Sequence, residues 1–330
     1  MSVSGYPALE DLIGVARRVL DVNLGLKPGE KLLVITDTSR HVIGEALFRA
    51  GLELGAESIL VVMKPRSRHG EEPPTPIRAA WLESDVFVAP TEYSLTHTQA
   101  RREAVMRGSR GATMPGINVD IFLRTLSLDY RREVLPLCMK LYERVRGASE
   151  VRVTSGLGTD ITFSVSGREF QVDSGIYDKP GDWGNLPAGE VYVAPVEGTG
   201  EGLVVVDGSI AGGLGVVKNP VRIIVKQGRA VEIEGFEEAR ALRNMLESVR
   251  REEAYNFPAE LGIGCNPAAK LSGVVLEDEK ILGTVHLAFG DNSTFGGKVR
   301  AGIHIDVVLL KPNLYVDGKL LIENGVLKLD

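Results

Sequence analysis

The sequence predicts an α/β domain with a mainly parallel sheet over residues 1–148, followed by a β-rich α+β domain over residues 149–330 that carries the metal site. Two patterns and one dimension lead there. In the first part, short apolar runs alternate with stretches of helical periodicity, as when strands are joined by helical crossovers. In the second, short apolar runs follow one another between glycine-rich turns, with one long helical stretch among them. A length of 330 residues suits two domains of roughly 100–200 residues each.

In the first part, residues 9–20 place Leu9, Leu12, Ile13, Ala16, Val19 and Leu20 at helical spacing, and Lys27-Pro28-Gly29 turns the chain. Residues 31–36 read as a buried strand and 41–54 as a helix that Gly55 ends. Strands follow at 58–63, 85–90 and 111–115, with helices at 98–107 and 128–145. The second part predicts strands at 151–154, 160–166, 170–173, 191–195, 203–206, 221–226 and 231–234. Gln227-Gly228 forms a hairpin tip between the last two. A helix runs from Phe236 to about Ala254, with Leu242, Met245, Leu246 and Val249 on one face. Strands then return at 274–276, 283–289, 302–310 and 314–316, before a closing hairpin over 319–329.

Composition narrows the functional classes. The chain holds 38 Lys and Arg against 44 Asp and Glu, a net charge of −6, which argues against a nucleic-acid or anionic-membrane partner. Its longest apolar runs, such as residues 59–63, fall far short of the ~18 residues a spanning helix needs. Met1-Ser2-Val3-Ser4 lacks the pattern of a signal peptide, so a soluble cytoplasmic protein is expected. Cys138 and Cys265 lie far apart with no CxxC spacing, which excludes a thiolate zinc site and a disulfide framework.

With five histidines in the chain, each position counts. His41 and His69 read as surface residues, whereas His97 follows a strand at the end of an α/β sheet where ligands often bind. In Gly302-Ile303-His304-Ile305-Asp306-Val307, His304 and Asp306 share one face of an apolar strand. Such a pair is costly to bury unless it is satisfied, by a mutual hydrogen bond or by a metal. His286 adds a second imidazole in the apolar run Val285-His286-Leu287-Ala288-Phe289. Two imidazoles and a carboxylate without cysteine suit a hard or borderline divalent ion. Glu190 opens an apolar strand and Glu260 precedes Leu261-Gly262-Ile263-Gly264-Cys265-Asn266-Pro267; taken singly, each reads as a solvated strand end. Glu277-Asp278-Glu279-Lys280 reads as a solvated turn. The glycine runs at 198–202 and 212–215 fit no phosphate loop, and neither GxSxG nor HExxH occurs.

Four segments, residues 185–195, 260–267, 283–290 and His304-Ile305-Asp306, resemble in order those of the aminopeptidase T (M29) family of thermophilic metallo-aminopeptidases. The resemblance implies a homodimeric, leucyl aminopeptidase-like hydrolase acting on peptides. It also implies two divalent ions per chain (Zn, Co or Mn) held by Glu190, Glu260, His286, His304 and Asp306, with Glu260 shuttling the proton. The family carries a tyrosine soon after the first histidine, where this chain offers only Phe289 and Phe295 between His286 and His304. The superfamily that the chain resembles also looks to include a non-haem iron dioxygenase that opens 2,5-dihydroxypyridine with a His/His/Asp set instead of a dinuclear cluster. The second expectation is therefore a mononuclear Fe(II) ring-cleaving enzyme. A third makes the cluster a structural metal site or a satisfied polar group.

Overall fold

Residues 32–35 are apolar toward both faces, and the strand that contains them, Lys31–Asp37, runs between parallel neighbours on either side and is buried from Leu32 onward. The computed structural model describes residues 8–329. They fall into two units: the chain up to Leu135 with Ser174–Ala188, and Pro136–Asp173 with Gly189 onward. The chain thus leaves the first unit, re-enters it and leaves again, where the sequence suggested one boundary near residue 148. The first unit is α/β and the second β-rich, as the sequence predicts.

The first unit holds a five-stranded parallel sheet in the order Glu57–Met63, Lys31–Asp37, Val86–Thr91, Arg110–Pro115, Trp183–Asn185. The fifth strand is three residues long and pairs Thr113 with Asn185, so no local periodicity announces it. Trp81, fully buried, meets Phe87 edge-on at 5.0 Å in the core beneath. Helices Thr75–Leu82 and Val119–Thr125 were not expected. The first carries Pro76 in its opening turn, where proline is tolerated but reads as a breaker. The helix expected over 128–145 is two, Tyr130–Glu133 and Leu135–Val145, with Pro136 starting the second.

One ion pair stands out in this unit. The buried Arg110 forks onto the Glu30 carboxylate at 2.9 and 2.7 Å, and donates at 2.8 Å to the carbonyls of Leu24 and Gly25. Burial alone would raise the Glu30 carboxyl, but Arg110 and the Lys27 amide outweigh it and hold it below the ordinary range. Glu30→Gln should cost about 1–3 kcal/mol near neutral pH by leaving Arg110 without its counter-charge. A carboxyl lowered in the folded state stabilises above its unfolded value, and that contribution is lost as pH falls through the folded one. The gap between wild type and variant in urea unfolding should therefore narrow in acid. A gap independent of pH would overturn this assignment.

The second unit contains two antiparallel sheets. The eight-stranded one runs Arg229–Glu234, Val221–Lys226, Glu201–Val206, Asp160–Ser164, Glu150–Ser155, Pro312–Val316, Lys319–Glu323, Val326–Leu327. The seven-stranded one runs Gly215–Val216, Ser209–Ile210, His304–Leu309, Val285–Gly290, Leu261–Gly264, Glu190–Val193, Gln171–Asp173. Gln227 and Gly228, with φ of 48° and 68°, make the predicted hairpin tip. The helix predicted from Phe236 ends earlier, as Glu237–Ser248, because Arg250 turns left-handed at φ 54° before a short 3₁₀ turn, Glu252–Tyr255. The strand expected at 274–276 is instead the start of a helical turn, Val275–Asp278. Asp278 draws the amides of Ser272 and Gly273 onto its carboxylate there and sets the turn. Cys138 and Cys265, remote in sequence, are both buried in this unit as free thiols; burial first, then Cys138, pushes the Cys265 thiol up. Among the described residues no helix is long and apolar enough to cross a membrane.

Candidate metal centre

The seven-stranded sheet brings the singled-out residues to one face. In an antiparallel pair, directly opposed residues point the same way. The register pairs Glu190 with Gly264, Tyr192 with Gly262, Gly262 with His286, Ala288 with Asp306 and Gly290 with His304. Glu260 stands two residues before Gly262, hence on the same face, and its carbonyl accepts from the Ala288 amide at 3.2 Å. Among six acidic, imidazole and phenol side chains lie only glycine or alanine at 262, 264, 288 and 290, which leaves the large groups room. A Cβ on Gly262 would lie 1.9 Å from His286 Cε1, so the ring rests directly across that bare backbone.

All five predicted residues meet. His286 Nε2 lies 3.5 Å from both Glu190 Oε2 and Glu260 Oε1. His304 Nε2 lies 3.3 Å from Glu260 Oε2 and 3.1 Å from Asp306 Oδ1. Three groups of donor atoms each fall within 4.8 Å of one another: Glu190, Glu260 and His286; Glu260, His304 and Asp306; Glu279, His286 and Asp306. His286 is buried, whereas the His304 side chain is 30% exposed and marks the open side. His41 and His97 are exposed, and His69 accepts from the Ser94 amide at 3.1 Å, all three in the first unit.

Several neighbours were not foreseen. Glu277 and Asp278 are fully buried, Lys280 is 2% exposed and Glu279 joins the cluster, so the segment is no solvated turn. Lys280 Nζ bonds Glu190 Oε1 at 2.5 Å and Glu279 Oε1 at 2.7 Å. A phenol is present after all, though from another strand: Tyr192 donates to Gln171 Oε1 at 2.9 Å. Phe295 meets Tyr192 at 5.8 Å and His304 at 5.9 Å, both edge-on. Only the short-range pattern Tyr192-Val193 after Glu190 hinted at the phenol's face; nothing local marked Lys280.

The electrostatics suit a cation. His304 Nδ1 donates to the Asp291 carbonyl at 2.7 Å, which directs Nε2 and its lone pair at two carboxylates. Unless a cation sits there, that nitrogen must carry a proton. Burial opposes the charge, but Asp306 and Glu260 outweigh it and hold His304 well above the usual range; His286 is pushed up to about 9 against burial by Glu260, Glu190 and Glu279. Conversely, the two imidazoles hold Glu260 low despite its burial. Burial raises Glu279 to about 8, with Lys280 only partly offsetting it. Glu190 Oε2 and His286 Nδ1 are buried with no hydrogen-bond partner. Imidazoles, carboxylates and orphaned donor atoms fit a divalent ion of the hard-to-borderline class.

A family model described as NicX, 2,5-dihydroxypyridine 5,6-dioxygenase, matches residues 11–329. The chain belongs to this family. A curated 2,5-dihydroxypyridine 5,6-dioxygenase of Pseudomonas putida KT2440 is 24% identical over 192 residues, a stretch covering 55% of this chain and 55% of that relative. Among solved structures, the 2,5-dihydroxypyridine dioxygenase of Pseudomonas putida KT2440 superposes with a TM-score of 0.81 at 20% identity, over 98% of each chain. Wild-type AmpT from Thermus thermophilus superposes at 0.69 and 18% identity, over 96% of this chain and 99% of that one. Both likenesses show the shared fold. NicX membership overturns the expected hydrolase, and with it the aminopeptidase, peptidase M29 and proteolysis readings. The physical reason is that the resembling segments specify a donor-lined sheet face, and one donor set serves hydrolytic and oxygen chemistry alike.

Proposed function

We propose that the chain is a mononuclear non-haem Fe(II) dioxygenase that opens the ring of a dihydroxylated pyridine or a close aromatic analogue. The observation that carries this reading is the NicX match over residues 11–329, whose span includes every member of the cluster. His286, His304 and Asp306 would hold the ion, with the Glu260 carboxylate facing both imidazoles. When bound, ferrous ion supplies a place where dioxygen and a deprotonated ring hydroxyl are brought together.

The protein's own groups do the rest. Asp291 fixes the His304 ring through Nδ1, and Gly262 lets His286 lie flat against its neighbour strand. Phe295 and Tyr192 offer an aromatic wall beside His304 against which a flat ring can pack, and the exposed edge of His304 is the side of approach. Glu260 faces the same place and offers carboxylate oxygens that can accept a hydroxyl proton. The homodimer that the resemblance implies is part of this reading, and light scattering tests it.

Protein loaded with Fe(II) without air, then given 2,5-dihydroxypyridine and oxygen, should consume one O₂ per ring and bleach the ring's ultraviolet band. No oxygen uptake with any of a panel of dihydroxylated pyridines and benzenes would overturn the proposal.

A further inference from the structure

The buried ammonium of Lys280 has no part in the function so far, and its position is closely specified. Its amide donates to the Glu277 carbonyl at 2.9 Å, and its carbonyl accepts from the Asn266 amide at 2.8 Å. The segment passes tightly over the sheet, because a Cβ on Gly264 would lie 2.7 Å from the Lys280 carbonyl carbon and 2.1 Å from the Ile281 oxygen. Backbone on both sides therefore aims the side chain at the cluster. Its Nζ bonds one oxygen of Glu190 and one of Glu279.

Those two glutamates matter because each belongs to a different donor group: Glu190 with Glu260 and His286, and Glu279 with His286 and Asp306. An ion held by His286, His304 and Asp306 leaves Glu190 and Glu279 among the carboxylates that a companion ion would need. We propose that the Lys280 ammonium stands in for a second metal ion, so that this donor-rich face holds one divalent ion instead of two.

Four carboxylates, Glu190, Glu260, Glu279 and Asp306, gather on this face, and the ammonium takes one oxygen each of Glu190 and Glu279. A second ion would have to approach the ammonium at close quarters in a site with little water, where like charges repel strongly. Unlike a metal, an ammonium offers no open coordination position: it neutralises its glutamates through fixed hydrogen bonds and leaves no second ion to activate water. Two-metal hydrolysis is thereby closed to this face, and single-ion chemistry with open positions remains. The inference deepens the single-ion part of the proposed function, but the count of ions is readable without any turnover.

The test is metal stoichiometry on the full chain, stripped by chelator and titrated with Zn²⁺ or Mn²⁺ by calorimetry and elemental analysis. Wild type should bind one ion per chain, Lys280→Arg one, and Lys280→Met two. Metal-free Lys280→Met should melt lower than wild type and regain the difference with excess Zn²⁺. If it folds only with metal, it is refolded in Zn²⁺ and counted the same way. Two ions in wild type, or one in Lys280→Met, would overturn the inference. One ion in wild type without ring cleavage would leave the inference standing and remove the functional reading; ring cleavage with one ion in Lys280→Met would do the reverse.

Discussion

Gly262→Ala should cost the protein its metal. The added methyl would stand 1.9 Å from His286 Cε1 and 2.1 Å from its Nε2, far inside contact distance. The strand cannot retreat, because Leu261–Gly264 is paired on both sides, to Val285–Gly290 and to Glu190–Val193. The imidazole must swing away instead, and Nε2 leaves the place it shares with Glu190 and Glu260. A displacement of about 1 Å at a reacting centre costs on the order of 100-fold in rate, and the loss of ligand geometry should weaken Fe(II) or Zn²⁺ binding at least as much. Overpacking should also lower stability by about 1–3 kcal/mol, which urea unfolding reads separately. Unchanged metal affinity and oxygen uptake in Gly262→Ala would show that His286 does not hold the ion.

His304→Ala should abolish ring cleavage while the protein stays folded. This side chain lies on the open side, 30% exposed, so its removal opens no closed cavity. What goes is one of two imidazoles and the only one whose second nitrogen is anchored, at the Asp291 carbonyl. Oxygen uptake should fall below detection, and metal affinity by roughly 100-fold or more. Circular dichroism should keep its native shape, with melting lowered modestly because Glu260 and Asp306 lose a partner. A purely structural cluster makes the opposite demand: a large drop in melting and no activity to lose. Full turnover in a folded His304→Ala would remove the proposed function.

How much of this was legible follows from the range of the signal in each case. Strand alternation is local, so His304 and Asp306 could be placed on one face from three letters, and the structure has them there. The lone imidazole of His286 in an apolar run was visible for the same reason. Glu190 and Glu260 read singly as solvated strand ends; cross-strand register decides that they face the imidazoles, and register does not appear in a single strand. Lys280 was hidden more deeply. A run of four charged residues looks solvated, and only the close passage over Gly264, which lies elsewhere in the sequence, buries it. The phenol was sought after His286 and arrives from Tyr192, because a sheet face gathers side chains by pairing and not by order. In the fold, the long strands and helices were legible and the three-residue Trp183–Asn185 was not. The chemistry was least legible, since imidazoles and carboxylates on a sheet name a metal site but not its reaction.

The re-entry of the chain over Ser174–Ala188 bears on how the protein can be made and cut. Arg110–Pro115 obtains its outer neighbour only when Trp183–Asn185 has been synthesised, after the chain has already begun the second unit. Until then a buried-type strand stands at a sheet margin with its amides and carbonyls unpaired. A fragment ended at residue 148 would keep that margin permanently and offer it to another copy, a route to aggregation. Neither half is a separable module, and a ribosome must deliver more than half of the polypeptide before the first sheet can close.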